Sequence, residues 1–291
     1  MNYRFDIDDW LPRFPLQPSY ERYSGEIITS PCHLCNNAHL RVAAGDQFDW
    51  GPAVPVDIFV MSEGEPSNRH VTKMGGLPYR SASLPWPTAD NGELMTFLGQ
   101  FDFTDSEDIV GELPGEVLLI FSNSNKNDDL SESLYFEWNK LGLEDLISRE
   151  ELPRSKRQFD PCYGNLCRTV SFPDARQKLR SGNLCCEGLE LKRPWLLPQY
   201  QATQIGSGPY FIQQHEKDAP GQLLCTLNSV RPEMHNRYPW VNHEAPLVPE
   251  KEWRSEDIWR IEDRYLMFGD VGCIHIAIGE DGQLSSRPSS Y

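Results

Sequence analysis

Positive charge is scarce in this sequence, with 27 Lys and Arg against 43 Asp and Glu and a formal net charge of −16. A nucleic-acid-binding surface rests on a basic footprint, so that class is set aside. The balance suits a solvated acidic protein, or one whose partner is basic. Long apolar runs are missing too. Val117 to Phe121 is far too short to span a bilayer, and no membrane partner is expected. Residues Met1 to Asp9 are acidic where a secretory signal is basic, and no apolar stretch follows them. The expected location is the cytoplasm, where the eight cysteines serve as thiols or metal ligands rather than as disulfides. No nucleophile elbow, zincin helix, P-loop or dinucleotide fingerprint is written in the chain. The expectation is a protein that is not an enzyme.

What the chain has in quantity is punctuation: 23 prolines and 21 glycines among 291 residues. With Val, Ile, Phe, Tyr and Trp well represented, this predicts a β-rich chain of many turns and short elements. One stretch organises the rest. Thr72-Lys73-Met74-Gly75-Gly76-Leu77-Pro78-Tyr79 returns as Thr203-Gln204-Ile205-Gly206-Ser207-Gly208-Pro209-Tyr210, with Thr, Gly, Pro and Tyr at the same spacing. Each copy is followed by related wording, Gly115 to Ile120 after the first and Gly269 to Ile274 after the second. Two signals repeated in the same order point to an internal duplication. Chemically the motif reads as a turn. Glycine permits positive φ, and proline fixes φ and holds the residue before it extended. Gly75, Gly76, Pro78, Tyr79, Gly206, Pro209 and Tyr210 are therefore structural turn residues. A phosphate-cradling loop would want three spaced glycines or Gly-Lys-Ser/Thr before a helix, and neither is present.

The expected fold class is α+β and β-rich, with two related antiparallel sheet units from the duplication and few short helices. Residues 1–67 form an aromatic, proline-punctuated arm and a Cys-x-x-Cys segment. The first repeat unit covers 68–125, an inserted connection with cysteine pairs covers 126–199, and the second unit and tail cover 200–291. Strands are predicted at Val54–Met61, Leu94–Phe103, Val117–Ser122, Gln222–Asn228, Arg264–Phe268 and Val271–Ile278. Within the connection, Leu130 to Ile147 reads as an aromatic cluster with a helix-like tail. The tail from Gly282 reads as loose.

Cys32-x-x-Cys35 has the spacing of half a zinc ribbon, and Cys162 and Cys167 are the expected second half of a structural zinc site. His33, His39, Cys185 and Cys186 are alternative ligands. A thioredoxin-like role is disfavoured because no βαβ pattern surrounds the pair. Free cysteines are also commonly buried as small apolar groups, the reading that suits Cys225 and Cys273. His275 alternates within a strand and reads as a satisfied structural residue. Asp102, Asp105, Glu107 and Asp108 lie close in sequence and suit a divalent cation or acid–base work. A strand end running into an acidic loop accounts for them equally well.

At these residues the chain resembles the YwqG-like family, a bacterial domain of unknown function. The resemblance rests on Lys73 to Tyr79, Pro85-Trp86-Pro87, Phe97 to Gln100 and Gly115 to Phe121. In the second half it rests on Ile205-Gly206 through Gln213 and on Phe268 to Gly272. It implies an α+β fold with two related antiparallel sheets and no established catalytic residues. It also implies a distant likeness to the programmed-cell-death-protein-2 group, whose members act as chaperones for a ribosomal protein. In the family it resembles, bacterial members often stand beside toxin genes as immunity proteins. The expected function is thus an immunity protein that binds a cognate cytoplasm-acting toxin, a nuclease being the class suited to an acidic surface. Glu250, Glu252, Trp253, Glu256, Asp257 and Trp259 are the candidate contacts, charge giving speed and buried aromatics affinity. The alternatives are a chaperone or peptide-binding module and a hydrolase with an unrecognised carboxylate site.

Overall fold

Val117 to Ser122 is apolar at nearly every position, the pattern of a strand covered on both faces. In the computed structural model it is β4, buried throughout. The structure describes residues 54–123, 133–153, 158–171, 202–208, 221–230, 266–269 and 272–290. Before β4 come β1 (Val54–Glu63), β2 (Lys73–Met74) and β3 (Thr96–Asp102). After it come β5 (Leu134–Asn139), β6 (Cys162–Ser171), β7 (Gln204–Gly206), β8 (Gln222–Asn228), β9 (Cys273–Ile278) and β10 (Leu284–Ser289). One short helix, α1 (Glu107–Val110), is formed among the described residues.

The strands make one sheet in the order β10-β9-β8-β7-β1-β6-β2-β3-β4-β5. Every pairing is antiparallel. Among the described residues the protein is thus β-rich with almost no helix, and their strands belong to one continuous sheet rather than to two separate ones. The central pair is β1 with β6, in register from Val54 opposite Ser171 to Glu63 opposite Cys162. Outward from β6 the order is β2, β3, β4, β5, and outward from β1 it is β7, β8, β9, β10.

Side chains alternate across β4. Leu118 and Ile120 enter the main core with Phe59, Phe101 and Leu98. Leu119 and Phe121 enter a smaller cluster on the opposite face with Phe97 and Met95, covered by Trp86. That period of two is the strand's own geometry. The loop carrying Trp86 is held by Arg80, which donates to the carbonyls of Leu84 and Pro85 and to both carboxylate oxygens of Glu137 on β5.

Three sequence expectations change here. Residues 140–147 form turns and an isolated bridge instead of a helix, and the aromatic cluster before them is β5. The tail after Gly282 is β10, paired along its length with β9. Leu266 and Phe268 are buried with Met267 half-buried between them, but the three are not a strand.

Candidate functional site

Thr72 to Tyr79 is a turn built from required residues. Gly75 and Gly76 have φ of 63° and 66°. A Cβ on Gly75 would lie 2.6 Å from the Phe159 carbonyl oxygen. The conformation and the close backbone approach both demand glycine. Gln100 then holds the turn from below. Its side chain accepts from the Tyr79 amide at 2.8 Å and donates to the carbonyls of Arg69 and Val71. Tyr79 is buried, and its hydroxyl accepts from the Leu143 amide at 3.0 Å. In the later copy Gly206 has φ of 78°, and a Cβ there would lie 2.3 Å from Cγ2 of Ile109 on α1. Pro209 and Tyr210 lie outside the described residues.

Charged groups line the buried side of the first turn. Lys73 is fully buried, and its Nζ donates to Glu65 Oε2 at 3.2 Å. Glu65 Oε1 accepts from the Leu77 amide at 2.6 Å, so one carboxylate serves both the lysine and the turn. Burial pulls the Lys73 ammonium down to about 8, against the upward pull of Glu65 and with a further downward push from Arg69. Arg69 donates to the carbonyls of Pro78 and Ile147. Nearby, His70 Nδ1 donates to Asp102 Oδ2 at 2.7 Å, and its Nε2 accepts from Asn68 Nδ2 at 2.8 Å. The second oxygen of Asp102 accepts from the Thr104 amide and hydroxyl. An Asp–His pair of this kind fixes an imidazole tautomer.

The carboxylates singled out in sequence part company in space. Asp102 faces His70, whereas Asp108 meets Arg168 at 2.6 Å. Arg168 also grips Asp57, a wholly buried carboxylate that takes a further bond from the Ser106 hydroxyl at 2.7 Å. The hydrogen bonds to Asp57 and Asp108 raise the Arg168 guanidinium further above its ordinary value. This clasp ties α1 to β1 and β6. Among the described residues, no three of His, Cys, Asp or Glu gather to hold a metal. Cys162 and Cys167 both lie on β6. Five residues of extended strand separate their Cα atoms by about 16 Å and turn the two positions to opposite faces. An ion bound by thiolates at about 2.3 Å therefore takes at most one of them. Cys32, Cys35, His33 and His39 lie outside the described residues, as do Glu250, Glu252, Trp253, Glu256, Asp257 and Trp259. Cys225 and Cys273 are buried in β8 and β9, and burial pushes the Cys225 thiol up. His275 is buried with its Nδ1 2.9 Å from the Thr226 hydroxyl.

Gly75 and Gly76 line a cleft of about 200 Å³ together with Trp86, Phe97, Phe159 and the exposed Arg149. A family model described as a domain of unknown function (DUF1963) matches residues 72–283. The chain belongs to that family. The DUF1963 match opens at Thr72, the first residue of the glycine turn, and closes one residue before β10. It contains the turn, Asp102 and the cleft, and leaves out β1, one of the two central strands of the sheet. No curated protein matches the chain. No helix among the described residues is long and apolar enough to cross a membrane.

Sequence reasoning found the turn and missed the ion pairs. Glu65 stands eight residues before Lys73 in irregular chain, and Asp57 meets Arg168 only through the β1–β6 register. A buried Asp between Val56 and Ile58 was the available signal, since a carboxylate on a buried strand needs a cation.

Proposed function

We propose that the chain is a protein-binding module, and in its most specific form an immunity protein that neutralises a cognate toxin, such as a nuclease, in the cytoplasm. The observation that carries this reading is a set of exposed apolar side chains on a strongly acidic chain. The four large apolar side chains that stand exposed among the described residues are Leu84, Leu94, Tyr135 and Leu141. All four belong to the loop between Arg80 and β3 or to β5 and its exit. Exposed apolar groups on a chain of net charge −16 combine contact area with attraction for a basic surface. Likeness to the YwqG-like family, with its immunity proteins, favours the same reading. Likeness to the programmed-cell-death-protein-2 group favours the second one, a chaperone that receives an extended client segment.

The scaffold of this module is read as a duplicated unit. In β3 the register with β4 slips between Phe97 and Gly99, and in β8 the register with β9 slips between Leu223 and Cys225. The Asp102 amide donates to the Thr72 hydroxyl at 3.0 Å, and the Asn228 amide donates to the Thr203 hydroxyl at 3.2 Å. The Thr72 carbonyl accepts from Gly164 on β6, and the Thr203 carbonyl from Phe59 on β1. We read these as related by a quasi-dyad through the Val60–Asn165 pair. It matches Met74 to Ile205, as the sequence repeat does, and Val117 to Cys273, two residues from the match that the sequence wording suggests. The pair of units, 68–125 and 200–291, is the duplication proposed.

Co-purification with the product of the adjacent gene tests the function. Stopped-flow association should slow as salt rises, and slow further at low salt when Glu250, Glu252, Glu256 and Asp257 are reversed in charge. An association rate indifferent to both would remove the acidic stretch from the binding face. Absence of any complex would remove the immunity reading. A structural zinc held by Cys32 and Cys35, completed by one thiol of β6 or by His33 and His39, is part of the proposal. Elemental analysis of freshly purified protein decides it. The hydrolase alternative draws on the His70–Asp102 pair, and a metal-dependent turnover abolished by Asp102→Ala would establish it.

A further inference from the structure

The two ends of the sheet differ in chemistry. β10 carries Arg287 and Pro288, and a charge and a proline are standard means of blunting an exposed strand. β5, with the sequence Leu134-Tyr135-Phe136-Glu137-Trp138-Asn139, has no proline, and its one charge is engaged by Arg80. Among the described residues no strand pairs with its outer side. Leu134, Phe136 and Trp138 pack against the main core but remain partly exposed. On the opposite face Tyr135 ends a cross-strand row, opposite Phe121, which is itself opposite Phe97. The Phe121–Tyr135 centroids are 6.1 Å apart, and Tyr135 is 44 % exposed.

We propose that β5 is a docking edge that takes an extended, basic segment of a partner protein as an eleventh strand. The backbone supplies the hydrogen bonds of strand addition. Alternate apolar side chains of the segment complete the cover over Leu134, Phe136 and Trp138. The sign of the partner follows from charge. Glu137 lies on β5, Glu116 accepts from the Leu141 amide at its exit, and Glu144 and Asp145 follow a few residues on, against Lys140 and the engaged Arg80. A second copy of this chain would bring another net −16 to the same edge, so self-pairing is opposed and a lysine- or arginine-bearing strand is favoured. This surface rests on the protein-binding reading and names the mode of binding.

Amide hydrogen exchange of the full chain tests it, with three synthetic peptides as probes. One alternates lysine with valine, one alternates glutamate with valine, and one is the lysine peptide with a central proline. In the free chain the amides of β5 facing outward exchange freely. With the lysine peptide they slow about tenfold or more, a difference of roughly 1.4 kcal/mol in opening free energy. The glutamate and proline peptides leave them unchanged. Tyr135→Lys, whose melting curve confirms folding, loses the protection, and Tyr135→Phe keeps it. Slow exchange of β5 in the free monomer overturns the proposal by showing the edge already covered. So does a homodimer that protects β5, or equal protection by the glutamate peptide. A toxin that binds the chain and leaves β5 unprotected removes this edge while the immunity reading stands. A protected β5 together with no toxin complex does the reverse.

Discussion

Lys73 illustrates how a buried charge sets the response to pH. Its folded value of about 8 lies below the ordinary 10.5. Between those values the unfolded chain holds a proton that the folded chain has released. Stability therefore rises as pH climbs from about 8 to 10.5, and the penalty is fully present below 8. Lys73→Met should flatten that rise, and at neutral pH, by leaving the partly buried Glu65 carboxylate without its cation, should cost about 1–3 kcal/mol. Urea denaturation across the window measures both effects, and an unaltered slope would show that Lys73 does not set it. Glycine substitutions separate strain from collision. Gly92 has φ of 81° with open space around it, whereas Gly75 faces the Phe159 carbonyl. Gly92→Ala should cost about 1 kcal/mol and Gly75→Ala about 3 kcal/mol, read as thermal shifts of different size.

At the level of elements, legibility followed locality. β4 and β8 were readable to the residue because their patterns lie within one strand, and the β1 and β3 segments were found with shifted ends. β5 was obscured because an aromatic cluster fits a helix face as readily as an edge strand. The spacing of Cys162 and Cys167 carries no sign that both belong to β6, since strand membership there depends on pairing with β1. Ser285, Ser286 and Pro288 disguised β10, since only pairing with β9 makes a strand of them. The glycine turn was legible because φ is a local property, whereas the Lys73–Glu65 and Asp57–Arg168 pairs depend on chain brought together from elsewhere. If the two threonine clasps are equivalent, Thr72→Val and Thr203→Val should each cost about 1 kcal/mol. A difference much larger than that between the two would speak against equivalent roles.

The whole molecule depends on a strand outside the matched family region. β1 pairs with β6 on one side and β7 on the other, so the two flanks of the sheet meet through it. Removing residues 1–63 should therefore separate the flanks. The truncated chain should lose cooperative unfolding and bind a hydrophobic dye, measured by calorimetry and fluorescence. A single sharp transition near the full chain's would show that β6 and β7 close the gap unaided. The same arrangement shapes the birth of the protein on the ribosome. β1 is made first, yet Glu63 waits for Cys162, roughly a hundred residues of synthesis or about 5–20 s at cellular rates. Over that interval its valines, Ile58 and Phe59 are a naked apolar segment tethered to an unfinished chain. Such a nascent strand invites a chaperone or a wrong neighbour, and slow codons placed ahead of β6 should lower the soluble yield.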